Sequence, residues 1–594
     1  MARKVLTLGR AYKTFILLFS IAGAWFWVFQ QPVFEKKLIA EKRNKAFVKN
    51  KVSVRDLSLL SSRDLAKDFV KRVRFQYTLD AKKFVTGQKK LAVVYGNKQY
   101  GFYQLKNFSF NDSHDQIDFE FVPPGYKFPL KFFLVEENVK KAVFFENFHS
   151  SKNALLLGEK SFSRLERVVL SGLSVDFKGK FSSNFFLLSG FYHLPPDSRH
   201  PNSFNAYYSF ILNKYGELVW AHLPMRGKKE VGGYSIARVL PGGVYALQFG
   251  ERQGYFEIVN WKGEILKSVN VSELANPFVF HHDFVFHPKK KNKVLALGFS
   301  KKYMRDYSAL WNSEVSLSQL LMPPMSYQAS PLIEWDLETL EHQEVWDPFS
   351  HLQPLDMPYR LRNRIHNHRK NKGKRVSFWN KWGGDRADVD WMHSNSLSYE
   401  PNMGYLMSLR NLSKVILLSE DLKTLKWSVG CNPEDTYQVV PKELCFYGQH
   451  DAQFLENGAL LIFDNHLPQL MARGAVEDAL DYHSRNYGSR ILILAPDPQK
   501  KEAKVIWAFT PPVEFKSGSR GSVSKLENGN LLAFYPLSHG GRDHILELTG
   551  IGAKTTGVQG NMWISFTENR KGTSAGGGAR VVPINTIGEE SFLR

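Results

Sequence analysis

One pattern recurs along this chain and limits the folds open to it. Ser235–Leu247, His282–Leu297, His393–Met407, His450–Ile462 and Gly521–Ala533 each read as a strand, a turn rich in Asn, Gly or Pro, and an apolar strand. Most are followed by an outer hairpin ending in tryptophan, as in Ile333–Trp346, Val415–Trp427 and Ile491–Trp507. An unmatched copy, Tyr208–Trp220, follows the strand Phe185–Gly190, which makes six units of four strands across roughly 430 residues. Units of that size are expected to close into a six-bladed β-propeller, because radial repetition leaves few sheet edges exposed. A β-solenoid competes, but its repeats are shorter and more uniform. The segment Ala579–Pro583 is expected to be the strand that closes the ring. The fold class is all-β.

In a propeller, equivalent positions of successive inner strands converge on the central channel. The repeat alignment puts Ser235, His282, His393, His450 and Gly521 at one such position. A lone histidine at a strand start is ordinarily structural, whereas three at one position point to chemistry. Three neutral imidazoles could ligate zinc or copper. They could equally hold an oxyanion and supply a nucleophile and a general acid. Asp283 and Asp451 follow two of them and could orient an imidazole or support a metal site. Asn395 lies two residues beyond His393 and shares its strand face. Arg410 closes the second inner strand of that unit. Its planar fork of donors matches a tetrahedral oxyanion and repels a metal dication, so it favours the anion reading over a metal site.

The net charge of +22 on 594 residues invites a nucleic-acid reading, but most of it is local. Residues 1–80 hold 17 Lys+Arg against 6 Asp+Glu, and residues 351–390 hold 10 against 4. The remainder is nearly balanced, with no basic groove, so no nucleic-acid partner is expected. Arg3, Lys4, Arg10 and Lys13 precede the uncharged apolar run Phe15–Phe29. Residues 1–34 therefore read as a cytoplasmic basic tail and a transmembrane anchor that exports the body. Ala22–Ala24 resembles a signal-peptide cleavage site, which leaves cleavage open. Residues 35–75 read as a basic helical stalk, and 76–164 as a small β-sandwich-like domain ahead of the 165–594 propeller. Two cysteines exclude a disulfide framework and a multi-thiolate zinc module.

An ordered set of motifs carries a resemblance. His281–Asp283, Asp390–Ser396, Ser408–Arg410, Gln449–Asp451, Phe463–Asn465 and Ser489–Arg490 together resemble the bacterial PAPS-independent arylsulfate sulfotransferase family, over about residues 165–590. That family's fold, a six-bladed propeller behind an N-terminal β-sandwich, agrees with the repeat. The resemblance implies a periplasmic enzyme that needs no cofactor and moves a sulfuryl group from an aryl sulfate to a phenolic acceptor in two ping-pong steps. His450 matches the attacking histidine that becomes sulfohistidine. Arg410 and His393 match residues that hold the sulfuryl oxygens, and one of His281 and His282 matches a further contact. The repeat favours His282. Asn395 is a further substrate contact. The resemblance also implies a disulfide before the nucleophile, for which Cys431 and Cys445 are the cysteines present. A homodimer is left open.

Residues 300–330, the basic 351–388 and 466–488 with His466, His483 and Arg485 depart from the pattern as insertions. Over the channel mouth they would reshape acceptor choice; otherwise they are solvated surface loops. Two other readings stand beside the transferase: a non-catalytic envelope propeller that binds or scaffolds, and a metal-dependent hydrolase using the three histidines.

Overall fold

A computed structural model describes strand segments alone before residue 173. Beyond that it describes residues 173–194, 204–222, 235–240, 244–249, 255–261, 264–271 with 274, 280–290, 292–304, 325–353, 388–467, 486–538, 541–549, 557–566 and 578–584. The expected membrane anchor lies outside these residues. No helix among the described residues is long and apolar enough to cross a membrane. Two short strands, Val54–Asp56 and Val73–Gln76, stand where the helical stalk is expected. Each is built on valine, whose branched Cβ favours extended backbone. Ahead of the repeat, Lys89–Asn97, Phe102–Ser109, Lys127–Glu136 and Ala154–Ser163 form a four-stranded antiparallel sheet.

The body is all-β, and its repeating unit is an antiparallel sheet of four strands hydrogen-bonded in chain order. Ser235–Leu240 begins one such unit, Phe280–Phe286 the next, and Ser394–Glu400, His450–Phe454 and Ser522–Lys525 the following three, of which the first two are joined edge to edge through the short strand Tyr437–Val440. Tight turns make this possible. At Gly404, φ is +121° and a Cβ would meet the backbone oxygen of Leu418, so the turn from Glu400 accepts glycine alone. The expected closing strand is present. Gly578–Ile584 pairs antiparallel with Phe185–Leu194 and forms the inner edge of the first sheet. At the other end, Leu173–Gly179 adds to the outer edge of the last sheet. Both ends of the repeat are thereby stitched across the seam.

Hydrophobic cores lie between successive sheets. Leu295, Leu297, Leu332 and Trp346 pack on Leu397, Met407 and Ile416 of the next sheet. Val415 and Leu417 pack likewise on Leu460, Ile462 and Leu492. Each side chain buried this way contributes about 1.5–3 kcal/mol. The recurrent tryptophans belong to these layers, Trp220 and Trp346 buried and Trp427 and Trp507 partly so.

The first strand of each sheet lies against the first strand of the next. Gly578–Ile584 lies between Ser522–Lys525 and Ser235–Leu240, so the row returns on itself. Only the edges of the insertions are described. Ser300–Met304 and Met325–Ala329 form a hairpin, and Asp388–Asp390 pairs parallel with its second strand. His466, the first residue of the third insertion, is fully buried, and its backbone N–H donates to Asp464 Oδ1 at 2.8 Å.

Candidate active site

A ladder of side-chain to backbone bonds joins the inner strands and defines which residues are equivalent. Asp283 Oδ2 accepts from Leu397 N at 3.0 Å, and Ser396 Oγ from Ala452 N at 3.1 Å. Asp451 Oδ2 accepts from Val523 N at 2.9 Å, and Ser522 Oγ from Val581 N at 3.2 Å. The rungs Asp283, Ser396, Asp451 and Ser522 are therefore equivalent, and the residue before each projects toward the centre. Those residues are His282, Asn395, His450 and Gly521. Of the expected column, His282, His450 and Gly521 keep their places, Asn395 rather than His393 is their counterpart, and Ile236 lines the cavity from the unit in which Ser235 was expected. The sequence alignment slipped by two because period two puts His393 on the same face. Both histidines hold left-handed backbone, His282 at φ +57° within the register shift between Phe280 and Phe284, and His393 at φ +47° directly before the strand Ser394–Glu400.

His282, Asn395, His450 and Gly521 line one small cavity with Ile236, Asp451, Arg520 and Arg580. Gly521 has φ +103°, and a Cβ there would strike the Phe463 ring, so this unit contributes no side chain to the column.

The tautomer of each buried histidine follows from partners that can only accept or donate. Asn465 Nδ2 donates to the backbone oxygens of Ser517 at 3.0 Å and Arg520 at 2.9 Å. Its Oδ1 therefore faces His450, whose Nδ1–H donates to it at 2.5 Å. The lone pair of His450 lies on Nε2, where the backbone N–H of Arg520 meets it at 3.1 Å. His281 Nε2–H donates to the Gly298 oxygen at 3.0 Å, which leaves its Nδ1 to accept from His282 Nδ1–H at 2.7 Å. His282 then carries its own lone pair on Nε2. His282 and not His281 lines the cavity; His281 stands behind it and sets its tautomer.

Electrostatics keep these rings neutral. Burial, then the charge of Arg410, holds His450 well below the ordinary imidazole range. Burial and neighbouring His393 bring His282 well down, and His281 to about 3. His393 packs edge to face on His282, ring centroids 4.7 Å apart, and its Nδ1 lies 2.5 Å from Asp390 Oδ2. Burial pushes the Asp390 carboxyl up, but His393 beside it prevails and the net shift is downward.

Arg410 is 5% exposed, with Nη1 donating to Asn411 Oδ1 at 3.1 Å and Nη2 to the Gly518 oxygen at 3.3 Å. Its backbone N–H donates to the His393 oxygen at 3.2 Å, so the two residues are mutually placed. His282 and His450 line the cavity and feel the charge of Arg410, and His393 packs on His282, although neither Arg410 nor His393 lines the cavity itself. Among the described residues, no group of three or more His, Cys, Asp or Glu is arranged to hold a metal ion.

Residues 178–568 match the family described as Arylsulfotransferase (ASST). The chain belongs to the arylsulfotransferase family. No curated protein matches it. Among solved structures it is similar to a protein of unknown function from Bacteroides caccae at 11% identity, covering 73% of this chain and 96% of that one with a TM-score of 0.28. Virginiamycin B lyase from Staphylococcus aureus matches at 8% identity, with 66% and 100% covered and a TM-score of 0.30. A quinonprotein alcohol dehydrogenase-like protein from Bacteroides thetaiotaomicron matches at 8%, with 89% and 100% covered and a TM-score of 0.25.

Membership in the arylsulfotransferase family carries aryl sulfotransferase activity in general, and each histidine of the site falls inside the matched stretch. Behind this arylsulfotransferase site, Cys431 and Cys445 are bonded, with Cα atoms 6.0 Å apart. The Cys445 oxygen accepts from Arg490 Nη2 at 2.6 Å, and Arg490 pairs with buried Asp464, the residue before Asn465. Asp464 Oδ1 in turn accepts from Tyr447 N at 2.8 Å. The disulfide loop, the approach to His450 and its orienting amide are one hydrogen-bonded body.

Sequence reasoning gave no role to Asn465 and Asp390, although both lie in its motifs. It passed over Arg520, and it placed Arg580 in the closing strand without giving it a role at the site. The last lies beyond residue 568, outside the family match.

Proposed function

We propose that this protein transfers a sulfuryl group from an aryl sulfate to a phenolic acceptor through a sulfohistidine on His450. One observation carries the reading: Asn465 commits the proton of His450 to Nδ1 and so leaves the lone pair of a neutral imidazole on Nε2, within the field of Arg410, where sulfur must displace the backbone N–H of Arg520. In the first half, the Nε2 lone pair forms the N–S bond while the S–O bond to the aryl group breaks and a phenolate departs with the electron pair. Arg410 and His393 donate to the sulfuryl oxygens as charge builds there. In the second half, the acceptor oxygen attacks sulfur, the N–S pair returns to Nε2 of His450, and the phenolic proton passes to Nε2 of His282.

The scaffold for this chemistry is a six-bladed propeller closed by Gly578–Ile584, supported by the returning row of inner strands. A body outside the cytoplasm, anchored to the inner membrane by residues 15–29, is supported by the basic flank of that run and by the disulfide.

Incubation with 4-nitrophenyl sulfate alone should leave an adduct of about 80 Da on the peptide containing His450, as a covalent intermediate requires. Nitrophenol should then be released continuously only when a phenol is supplied. Turnover that survives His450→Asn would remove His450 as the nucleophile.

A further inference from the structure

One turn engages the nucleophile and the guanidinium at the same time. The lone pair of His450, on Nε2, already accepts from the backbone N–H of Arg520 at 3.1 Å, and a neutral imidazole has no other lone pair to offer sulfur. Nη2 of Arg410 donates to the Gly518 oxygen at 3.3 Å, and Arg410 does not line the cavity. The ends of this turn are anchored. Ser517 is fully buried, its Oγ donating to the Pro536 oxygen at 2.7 Å and its N–H to Ser489 Oγ at 2.9 Å. Gly521 lies against the Phe463 ring, with no room for a Cβ. Between these ends Gly518 is exposed, and a Cβ there would meet nothing. Arg520 holds left-handed backbone at φ +64°, a region that glycine enters freely and arginine does not. A segment pinned at both ends and strained between them has a second arrangement within reach.

We infer that residues 518–520 form a latch, closed over the nucleophile at rest and opened by the sulfate donor. The inference rests on the sulfuryl-transfer reading and adds the step that precedes its chemistry. An arriving sulfate ester competes for both contacts that keep the latch shut. Its oxygens draw the guanidinium from the Gly518 oxygen, and its sulfur needs the lone pair that the Arg520 N–H occupies. The displaced N–H has an acceptor at hand, because the sulfuryl oxygens arrive with the sulfur. Opening also lets Arg520 leave the left-handed region. No covalent bond changes in this step, and N–S formation follows it. An electrophile with no anionic group to engage Arg410 leaves the latch shut, which reserves His450 for sulfate esters.

The test follows the burst of nitrophenolate when the full chain meets 4-nitrophenyl sulfate without an acceptor. Arg520→Ala and Arg520→Gly both lack the guanidinium and differ in whether left-handed backbone is strained. Arg520→Gly should resist denaturant better than Arg520→Ala. It should nevertheless release its burst about fivefold or more slowly, because relief of strain favours the closed turn. Once sulfated, the two variants should transfer to phenol at rates within about twofold of each other, since the latch is then open. Equal bursts in the two variants overturn the inference, as do equal stabilities or an equal slowing of both half-reactions. If either variant does not fold, Gly518→Ala decides: restricting this exposed glycine should slow the burst about two- to fivefold, and an unchanged burst overturns the latch. Absence of both burst and adduct in the native protein would instead overturn the sulfuryl-transfer reading, and this inference with it.

Discussion

Because Nδ2 of Asn465 donates to two backbone carbonyls, its Oδ1 must face His450, and the imidazole can only donate from Nδ1. The neutrality of His450 has a separate origin, since burial and then Arg410 both disfavour the imidazolium. The acid limb of kcat/KM should accordingly lie below pH 6.5, the ordinary imidazole value. Asn465→Asp separates the two effects. A carboxylate against Nδ1–H favours the imidazolium and raises the His450 pKa, so the acid limb should move to higher pH. The loss of two amide donors to the 517–520 turn should also lower kcat by about 10- to 100-fold. A pH profile of donor turnover that is unchanged in Asn465→Asp would show that this amide does not set the state of His450. The motif containing Asn465 was legible in the sequence; its role was not. A tautomer depends on which atoms a side chain meets across 15 residues of chain, and spacing does not record that.

Among the elements, the strand that delivers His450 is held by two devices of different kind. The Cys431–Cys445 bridge closes a short loop and acts chiefly on the unfolded chain, worth roughly 3 kcal/mol. The Arg490–Asp464 pair acts on the folded state, fixing the backbone of Cys445 and Tyr447 at donor–acceptor distances of 2.6 and 2.8 Å. Replacing both cysteines by serine should therefore cost roughly 3 kcal/mol in chemical denaturation. It should leave kcat within a few-fold of native in the absence of denaturant. Asp464→Asn should lower both stability and kcat, because it leaves Arg490 buried beside a neutral amide. Equal kinetic losses in the two variants would mean that the bridge itself shapes the site. The bridge pairing was expected from the family resemblance. The ion pair was not, although both its residues stood in the quoted motifs, because charge pairing across a sheet leaves no periodic trace.

For the molecule as a whole, the repeat made the fold legible: strand, turn and strand spacing predicted the sheets, and Ala579–Pro583 was expected to close the row, as its pairing with Phe185–Leu194 bears out. What the repeat could not show is that closure and site share one residue. Arg580, on the closing strand and 8% exposed, places Nη2 3.0 Å from Asp283 Oδ2 and 2.9 Å from Asp451 Oδ1. These carboxylates directly follow His282 and His450, so one guanidinium ties together the residues next to the proposed base and the proposed nucleophile. Asp283 keeps a second partner in Arg238 at 2.6 Å, whereas Asp451 is paired with Arg580. Arg580→Met should therefore strand a buried carboxylate at Asp451 and cost about 3–5 kcal/mol in denaturant unfolding. Adding Asp451→Asn to that variant should recover part of the stability, since the uncompensated charge is gone. Their effects should be coupled, with the double variant losing clearly less than the sum of the singles. Strict additivity would mean that Arg580 holds the ring shut without acting through Asp451.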